Sequence, residues 1–118
     1  MPPETRDTAR LWDMLDNAKA VASIVAGRSL VEFERDRTLR LATERALEIV
    51  GEAARHVSRT FQDAHPEIPW ARIIGFRNLL AHEYGEILTA RVWEIATRSV
   101  PELVALLEPH VPPPSNEV

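Results

Sequence analysis

The sequence contains no cysteine and only one lysine, Lys19, among its 118 residues. Without cysteine the chain can form neither a disulfide nor a thiolate metal site, and nothing indicates an oxidising compartment. It also lacks the apolar segment of a signal peptide and any apolar run long enough to span a membrane. These absences predict a cytoplasmic protein that does not bind membranes.

An excess of positive charge is also missing, because the formal net charge is −4 and the pI is about 5.6. This balance argues against a broad basic surface for nonspecific nucleic-acid binding, so any such contact must be local. All basic residues except Lys19 are arginines, whose planar guanidinium suits bidentate phosphate recognition. The coding composition of the source genome would explain the same bias.

Apolar residues recur every three or four positions in the first half of the chain, as expected for amphipathic helices. The first helix is predicted to follow Asp7, a candidate N-cap, and to end at Gly27. The second is predicted to begin after Ser29 and to continue to about Val57. Segment Ser58–Pro69 is rich in turn-forming residues and predicts a connection.

The second half predicts two further helices. The third begins near Trp70 and is expected to stop at Gly85, since a residue in the left-handed region closes many helices. Thr89 is a candidate cap for the fourth helix. Pro101 lies inside the apolar pattern of that helix and should kink or divide it.

These patterns predict an all-α fold, an antiparallel up-and-down bundle of four to five helices. Residues 1–118 are expected to form one domain, with a core over about 8–108 and a flexible, proline-rich tail over 109–118. The long apolar faces suit packing of helix against helix in a homodimer.

Segment Phe76–Ile87, FRNLLAHEYGEI, places four polar side chains in an otherwise apolar helix, namely Arg77, Asn78, His82 and Tyr84. Burying a charged guanidinium and an imidazole beside an apolar core costs free energy, unless these groups are paired with other polar groups or serve a function. On one helix Asn78 and His82 are neighbours, and Arg77 and Tyr84 would share an adjacent stripe. Arg77 and His82 are turned roughly 140° from each other, so one copy does not converge well on a single anionic group, whereas two copies meeting across a two-fold axis could supply both residues to one cleft.

An arginine followed by a histidine at this spacing proves little by itself, because about 1.3 such pairs are expected by chance over three allowed spacings. Arg59 and His65 form such a pair, in the turn-rich connection. The longer pattern of four residues is the informative one.

The arrangement R-N-x-x-x-H-x-Y resembles the signature of the HEPN superfamily, and its tyrosine resembles the HepT-like branch. The segments LEIVGEAAR, PEIPWARIIGFRNLLAHEY and VPELVALLE are similar to that branch too, so the likeness covers about residues 8–108. The resemblance implies a dimeric HEPN bundle that acts as the endoribonuclease toxin of a type VII-like HepT/MntA toxin–antitoxin system.

The same resemblance implies roles for the four residues. Arg77, His82 and Asn78 would be catalytic, in metal-independent cleavage of RNA (tRNA or mRNA, not DNA) that leaves a 2′,3′-cyclic phosphate. Tyr84 would become O-AMP-tyrosine when an MntA-type nucleotidyltransferase antitoxin transfers AMP to it. Neither a cofactor nor a metal is expected.

Each of these residues also has a structural interpretation. Arg77 could form an ion pair with Glu48 or Glu52, His82 could be a satisfied residue at a helix end, and Tyr84 could serve packing. The whole chain could accordingly be a non-catalytic HEPN dimer that binds a nucleotidyltransferase or a nucleotide.

Other candidate sites are weaker. His82, Glu83 and Glu86 read as H-E-x-x-E, but Gly85 should interrupt the helix and no second histidine follows at the spacing of a metal site. The remaining histidines are expected at the surface, and the tryptophans in the core or a dimer interface; these residues are His56, His65, His110, Trp12, Trp70 and Trp93.

Overall fold

The computed structural model describes residues 3–112, and their side chains from Arg6 onward. All regular structure within these residues is helical, which confirms the predicted all-α class. The elements are α1 (Pro3–Val25), α2 (Leu30–Arg35), α3 (Arg37–Arg55), α4 (Arg59–Ala64), α5 (Trp70–Ile74), α6 (Phe76–His82), α7 (Gly85–Glu94), a π-helical turn (Ile95–Ser99), α8 (Val100–Leu107) and a 3₁₀ turn (Glu108–His110).

Helices α1 and α3 form the centre of the bundle, and α8 packs on α1 while α5 and α6 pack on α3. The apolar stripe expected in the first helix is the core face of α1, because Leu11, Met14, Ala18 and Val21 are almost completely buried. They meet the buried faces of α3 and α8 in one continuous core. Burial of this apolar surface is the main force that holds the helices together.

The prediction that Asp7 caps the first helix is wrong, because α1 begins at Pro3 and Asp7 lies within it. Proline is tolerated in a first helical turn, where its missing N–H costs no hydrogen bond. Asp7 is 8% exposed, and its carboxylate accepts hydrogen bonds from the backbone N–H of Ser58 (2.8 Å) and from the Ser58 hydroxyl (2.7 Å). These bonds fix the start of α1 beside the end of α3, so the two helices run antiparallel.

The predicted second helix is divided in two at Asp36. This residue leaves helical geometry (φ −110°, ψ 97°), and its carboxylate accepts a hydrogen bond from the Leu39 backbone N–H, which starts α3. The Arg40 guanidinium donates to the carbonyls of Phe33 and Glu34 at the break, and the Asp36 N–H also donates to that of Phe33. The predicted cap Ser29 is confirmed, since it forms a capping box with Glu32.

Three other local predictions have different outcomes in the structure. The turn-rich connection contains a short helix, α4, because the Ser58 hydroxyl caps it by accepting from the Phe61 N–H. Thr89 does not cap a helix; it lies inside α7, where its hydroxyl donates to the Gly85 carbonyl. The irregularity expected at Pro101 takes the form of the π-helical turn that precedes it, while the backbone stays helical from α7 through this turn into α8.

The predicted flexible tail begins with regular structure. Glu108–His110 form the 3₁₀ turn, and the His110 ring packs edge-on against Phe61 at 5.5 Å between centroids. Residues 113–118 of that predicted tail lie outside the described residues. Among the described helices, none combines the length and the apolar character that crossing a membrane requires.

Candidate active site

Helix α6 carries three of the four predicted site residues, Arg77, Asn78 and His82. The helix predicted from Trp70 to Gly85 is divided at Gly75 into α5 and α6, and it ends earlier than predicted because Glu83 and Tyr84 adopt extended geometry. Gly85 has φ +61°, as expected for the glycine, but it opens α7 instead of closing α6. Tyr84 therefore lies in a two-residue link between helices and not on a helical stripe shared with Arg77.

Glycine at position 51 brings this region close to α3. A Cβ atom added at Gly51 would lie 2.9 Å from the Ile73 carbonyl oxygen, 3.6 Å from the Phe76 Cβ and 3.8 Å from the Arg77 Cγ. No larger residue fits at that separation without displacing backbone. Gly51 thus permits the close packing that places Arg77 over the outer surface of α3.

Arg77 forms an ion pair across that contact, and the structure selects Glu52 from the two partners that the sequence allowed. The Nη1 atom of Arg77 donates to Glu52 Oε2 at 2.8 Å, while Arg55 and His56 donate to Oε1. Hydrogen bonds from Arg55 first, then from His56, and the charge of Arg77 lower the pKa of Glu52. The ion pair occupies one end of the Arg77 guanidinium, whose side chain remains 48% exposed.

His82, Asn78 and Tyr84 are all exposed to solvent. Within the described part of the chain, neither the His82 ring nor the Asn78 amide has a hydrogen-bond partner, so Asn78 does not orient His82 here. The Tyr84 hydroxyl reaches only the Ala81 carbonyl, at 3.5 Å, and the residue is 77% exposed. A single chain therefore displays these groups on its surface without enclosing them.

Arg77 and Asn78 border an open groove beside α3, whereas His82 and Tyr84 line neither this groove nor the one next to it. The first groove is lined by Glu48, Arg55, Arg77, Asn78 and neighbouring apolar residues of α5 and α6. A second groove, further towards the start of α3, is lined by Leu41 and by charged residues of both signs; these are Glu34, Arg37, Arg40, Glu44 and Glu86. We call the two grooves together the α3–α6–α7 surface.

Partial burial on this surface alters the pKa of one carboxyl group, that of Glu44. Desolvation raises the pKa of Glu44, and the charge of Arg40 opposes this in part. Leu41, beside Glu44 on the same helix, is 50% exposed, and Ile87 in the first turn of α7 is 62% exposed. The surface therefore combines an exposed apolar side chain, Leu41, with charges of both signs.

The weaker candidate residues from the sequence either lie on other elements or do not bring their side chains together. Among the described residues, His82, Glu83 and Glu86 do not gather as metal ligands, whereas His65, Glu67 and His110 do. Trp70 is buried and Trp93 packs on Phe33 at 5.3 Å, while Trp12 is 46% exposed. Arg59 of the chance arginine–histidine pair forms an exposed ion pair with Asp63.

Comparison with known proteins places this geometry in context. The family model described as "Ribonuclease HepT-like" matches residues 14–109. A Methanocaldococcus jannaschii protein, named an RNase by inference, is 36% identical over 95 residues, which cover 80% of this chain and 87% of the relative. A Caldanaerobacter subterraneus protein, also named an RNase by inference, is 34% identical over 93 residues, which cover 79% of this chain and 83% of the relative.

A third relative, from Thermococcus cleftensis, is named ribonuclease HepT by inference. It is 34% identical over 77 residues, 65% of this chain and 70% of its own length. No solved structure matches the chain.

Proposed function

The chain belongs to the HepT-like ribonuclease family, and we propose that it is an endoribonuclease toxin that cleaves RNA at a site built from Arg77, Asn78 and His82. The observation that carries this proposal is the display of an arginine and a histidine on one short exposed helix, α6. Neither His82 nor Asn78 is used for structure within the described residues, so both are free to contact a substrate.

The site requires two copies of the chain. Arg77 and His82 are five positions apart on α6, so their side chains point roughly 140° away from each other and do not converge on one phosphate. A two-fold axis beside α6 would bring two arginines and two histidines to one cleft. The exposed apolar groups of the α3–α6–α7 surface provide the contact area for such a homodimer.

The reaction needs only these side chains and the RNA itself. One His82 accepts the proton of the ribose 2′-OH, and the 2′-oxygen then attacks the adjacent phosphorus. The bond from phosphorus to the 5′-oxygen breaks, and that oxygen takes a proton from the protonated His82 of the second copy. The products are a 2′,3′-cyclic phosphate and a 5′-hydroxyl, and DNA, which lacks the 2′-OH, is not cleaved.

Arg77 would neutralise the charge that develops on the phosphate oxygens. Glu52 holds one end of its guanidinium, which leaves other N–H groups for bidentate contact with phosphate. Asn78, one turn before His82, would donate its amide to the phosphate or to His82. Such a mechanism uses no metal and no cofactor.

Membership of the family supports a proposal for the biological setting. We propose a type VII-like toxin–antitoxin pair in the cytoplasm, in which an MntA-type nucleotidyltransferase neutralises this chain and the substrate is tRNA or mRNA.

The Arg77–Glu52 ion pair favours a second function. An arginine whose guanidinium already donates to a carboxylate at 2.8 Å can have a purely structural role. The chain would then be a non-catalytic helical dimer that binds a nucleotidyltransferase or a nucleotide. The acidic net charge of −4 fits this alternative.

Replacement of the proposed catalytic groups distinguishes the two functions. Arg77→Ala and His82→Ala are each expected to lower kcat/KM for RNA by about 100-fold or more, a loss of roughly 3 kcal/mol of transition-state stabilisation. Both variants should keep the wild-type circular dichroism spectrum, because both side chains are exposed. Arg59→Ala is the matched control, since Arg59 is an exposed arginine with one carboxylate partner; it should retain full activity.

Cleavage is measured on labelled RNA with 3′-end analysis, and toxicity by growth after induction. Activity should persist in excess EDTA. Full activity in His82→Ala, or activity that appears only when a divalent metal is added, contradicts the proposed mechanism. A wild-type protein that binds the antitoxin but never cleaves RNA supports the non-catalytic alternative.

A further inference from the structure

Two of the histidines expected at the surface meet at the end of the molecule where α4 and the C-terminal 3₁₀ turn come together. His65 is the residue that ends α4, and His110 lies in the 3₁₀ turn. The two rings contact each other at 4.3 Å between centroids, and the carboxylate of Glu67, in the turn between α4 and α5, lies beside a nitrogen of each ring. These three residues, the His65–Glu67–His110 cluster, are separate from Arg77, Asn78 and His82.

The potential ligand atoms of this cluster converge. His65 Nδ1 lies 3.2 Å from Glu67 Oε2, and His110 Nε2 lies 3.8 Å from the same oxygen. All three ligand atoms lie within 4.8 Å of one another. In a tetrahedral zinc site with bonds of about 2.0–2.1 Å, neighbouring ligand atoms are about 3.4 Å apart. Small side-chain rotations would therefore bring the cluster to that geometry.

The two imidazole rings are held in place by their surroundings. Phe61 packs against both, at 4.3 Å from the His65 ring centroid and 5.5 Å from that of His110. The His65 carbonyl accepts hydrogen bonds from Trp70 Nε1 (3.0 Å) and from the Ile68 N–H (3.2 Å). Because the backbone and one face of the ring are fixed, little conformational entropy remains to be lost when a ligand binds.

The exposure of the cluster also suits an ion that enters from solvent. The side chains of His65 and His110 are 29% and 23% exposed, and that of Glu67 is 47% exposed. Two imidazoles and one carboxylate match the ligand types of zinc sites with three protein ligands, in which water takes the fourth position.

We propose that His65, Glu67 and His110 bind one divalent transition-metal cation of the Zn²⁺ class. The ion joins the C-terminal 3₁₀ turn to the connection between α4 and α5, two segments that are distant in sequence. Its role is structural, because none of the catalytic groups proposed above is among its ligands. The ion stabilises the folded protein because it binds the folded chain, where the three ligands are together, more tightly than the unfolded chain.

The same geometry could arise without a metal, if protonated imidazoles donated hydrogen bonds to Glu67. Direct titration separates the two cases. Untagged full-length protein is stripped with EDTA, dialysed, and titrated with Zn²⁺ by calorimetry at about pH 7.5, where free imidazole groups are mostly neutral. Co²⁺ substitution adds a visible absorption spectrum that reports the coordination geometry.

We expect saturable binding of one ion per chain and a higher unfolding temperature in its presence. Glu67→Gln, His65→Ala and His110→Ala should each weaken Zn²⁺ binding by at least about tenfold and abolish the rise in unfolding temperature. His56→Ala is the matched control, because His56 faces a single carboxylate, Glu52, at 3.1 Å without a second imidazole; it should bind as the wild type does.

Glu67→Gln is the decisive variant, since an exposed, nearly isosteric change does not threaten the fold. The proposal is overturned if the wild type shows no saturable binding, or if Glu67→Gln and His110→Ala bind Zn²⁺ as tightly as His56→Ala. Calorimetry does not depend on RNA cleavage, so its outcome is independent of the proposed function.

Discussion

The backbone conformation on both sides of Tyr84 exposes its side chain to solvent. The link between α6 and α7 is extended at Glu83 and Tyr84 and turns sharply at Gly85. The tyrosine consequently leaves the helical surface and is 77% exposed, and its hydroxyl makes a long hydrogen bond to the Ala81 carbonyl, its one partner among residues 3–112. A phenol so placed is accessible to a modifying enzyme, and it lies two positions beyond His82.

We expect a nucleotidyltransferase partner, supplied with ATP, to adenylylate Tyr84. The phenol oxygen would attack the α-phosphorus of ATP and release pyrophosphate. The attached phosphate would then compete with RNA for Arg77 through charge-assisted hydrogen bonds and block cleavage without unfolding the protein. Intact mass and peptide mapping measure the modification. AMP on a serine or threonine, or full neutralisation of a toxic Tyr84→Phe variant, would refute this mechanism.

At the scale of elements, the close approach of α3 to α5 and α6 depends on Gly51. A glycine inside a helix ordinarily costs about 1 kcal/mol relative to alanine. Here an alanine Cβ would lie 2.9 Å from the Ile73 carbonyl oxygen, a backbone atom that cannot rotate away. Overpacking of this kind costs about 1–3 kcal/mol and more than cancels the gain in helix propensity.

Gly51→Ala is therefore expected to lower the free energy of unfolding by about 1 kcal/mol, measured by urea denaturation. RNA cleavage should also fall, because Arg77, whose Cγ lies 3.8 Å from the same Cβ position, must shift with α6. Ala42→Gly, at an exposed position of α3, reports the propensity contribution alone. A Gly51→Ala protein more stable than the wild type would show that α5 and α6 can move away freely.

At the scale of the whole molecule, the proposed two-copy site depends on contact between two chains through the α3–α6–α7 surface. Leu41 exposes an apolar side chain there, at 50%, and Ile87, next in sequence to the groove-lining Glu86 and Leu88, is 62% exposed. Glu44 on the same surface has a raised pKa because it is partly desolvated even in one chain. Contact with a second copy would bury these groups and place two copies of α6 beside each other.

Leu41→Glu and Ile87→Glu are expected to convert a dimer into folded monomers, because each places a carboxylate in an apolar contact. RNA cleavage should be lost in both, although neither changes a catalytic group. Light scattering across micromolar dilution measures the mass, and Trp12→Gln, an exposed position on α1, serves as the control that stays dimeric. A wild type that is strictly monomeric and still cleaves RNA would contradict the two-copy site.

Local pattern in the sequence was sufficient for much of this protein. The three- to four-residue apolar repeat predicted the core face of α1, Ser29 predicted a helix start, and Pro101 predicted an irregular helix. The pattern of Arg77, Asn78, His82 and Tyr84 predicted the family that the comparisons confirm. Each of these features depends on residues within one or two helical turns, where periodicity and capping act.

Tertiary structure decided the features that depend on contacts between distant segments. The choice of Glu52 over Glu48 as the partner of Arg77 follows from how closely α6 approaches α3 at Gly51. Asp7 looked like a helix cap, but packing of α1 against α3 made it the acceptor for Ser58. His65 and His110 carry no shared local pattern, and only the path of the chain around the bundle brings their rings to 4.3 Å. Helix periodicity describes which face of a segment is buried, but which other segment covers that face is set by packing of the whole chain.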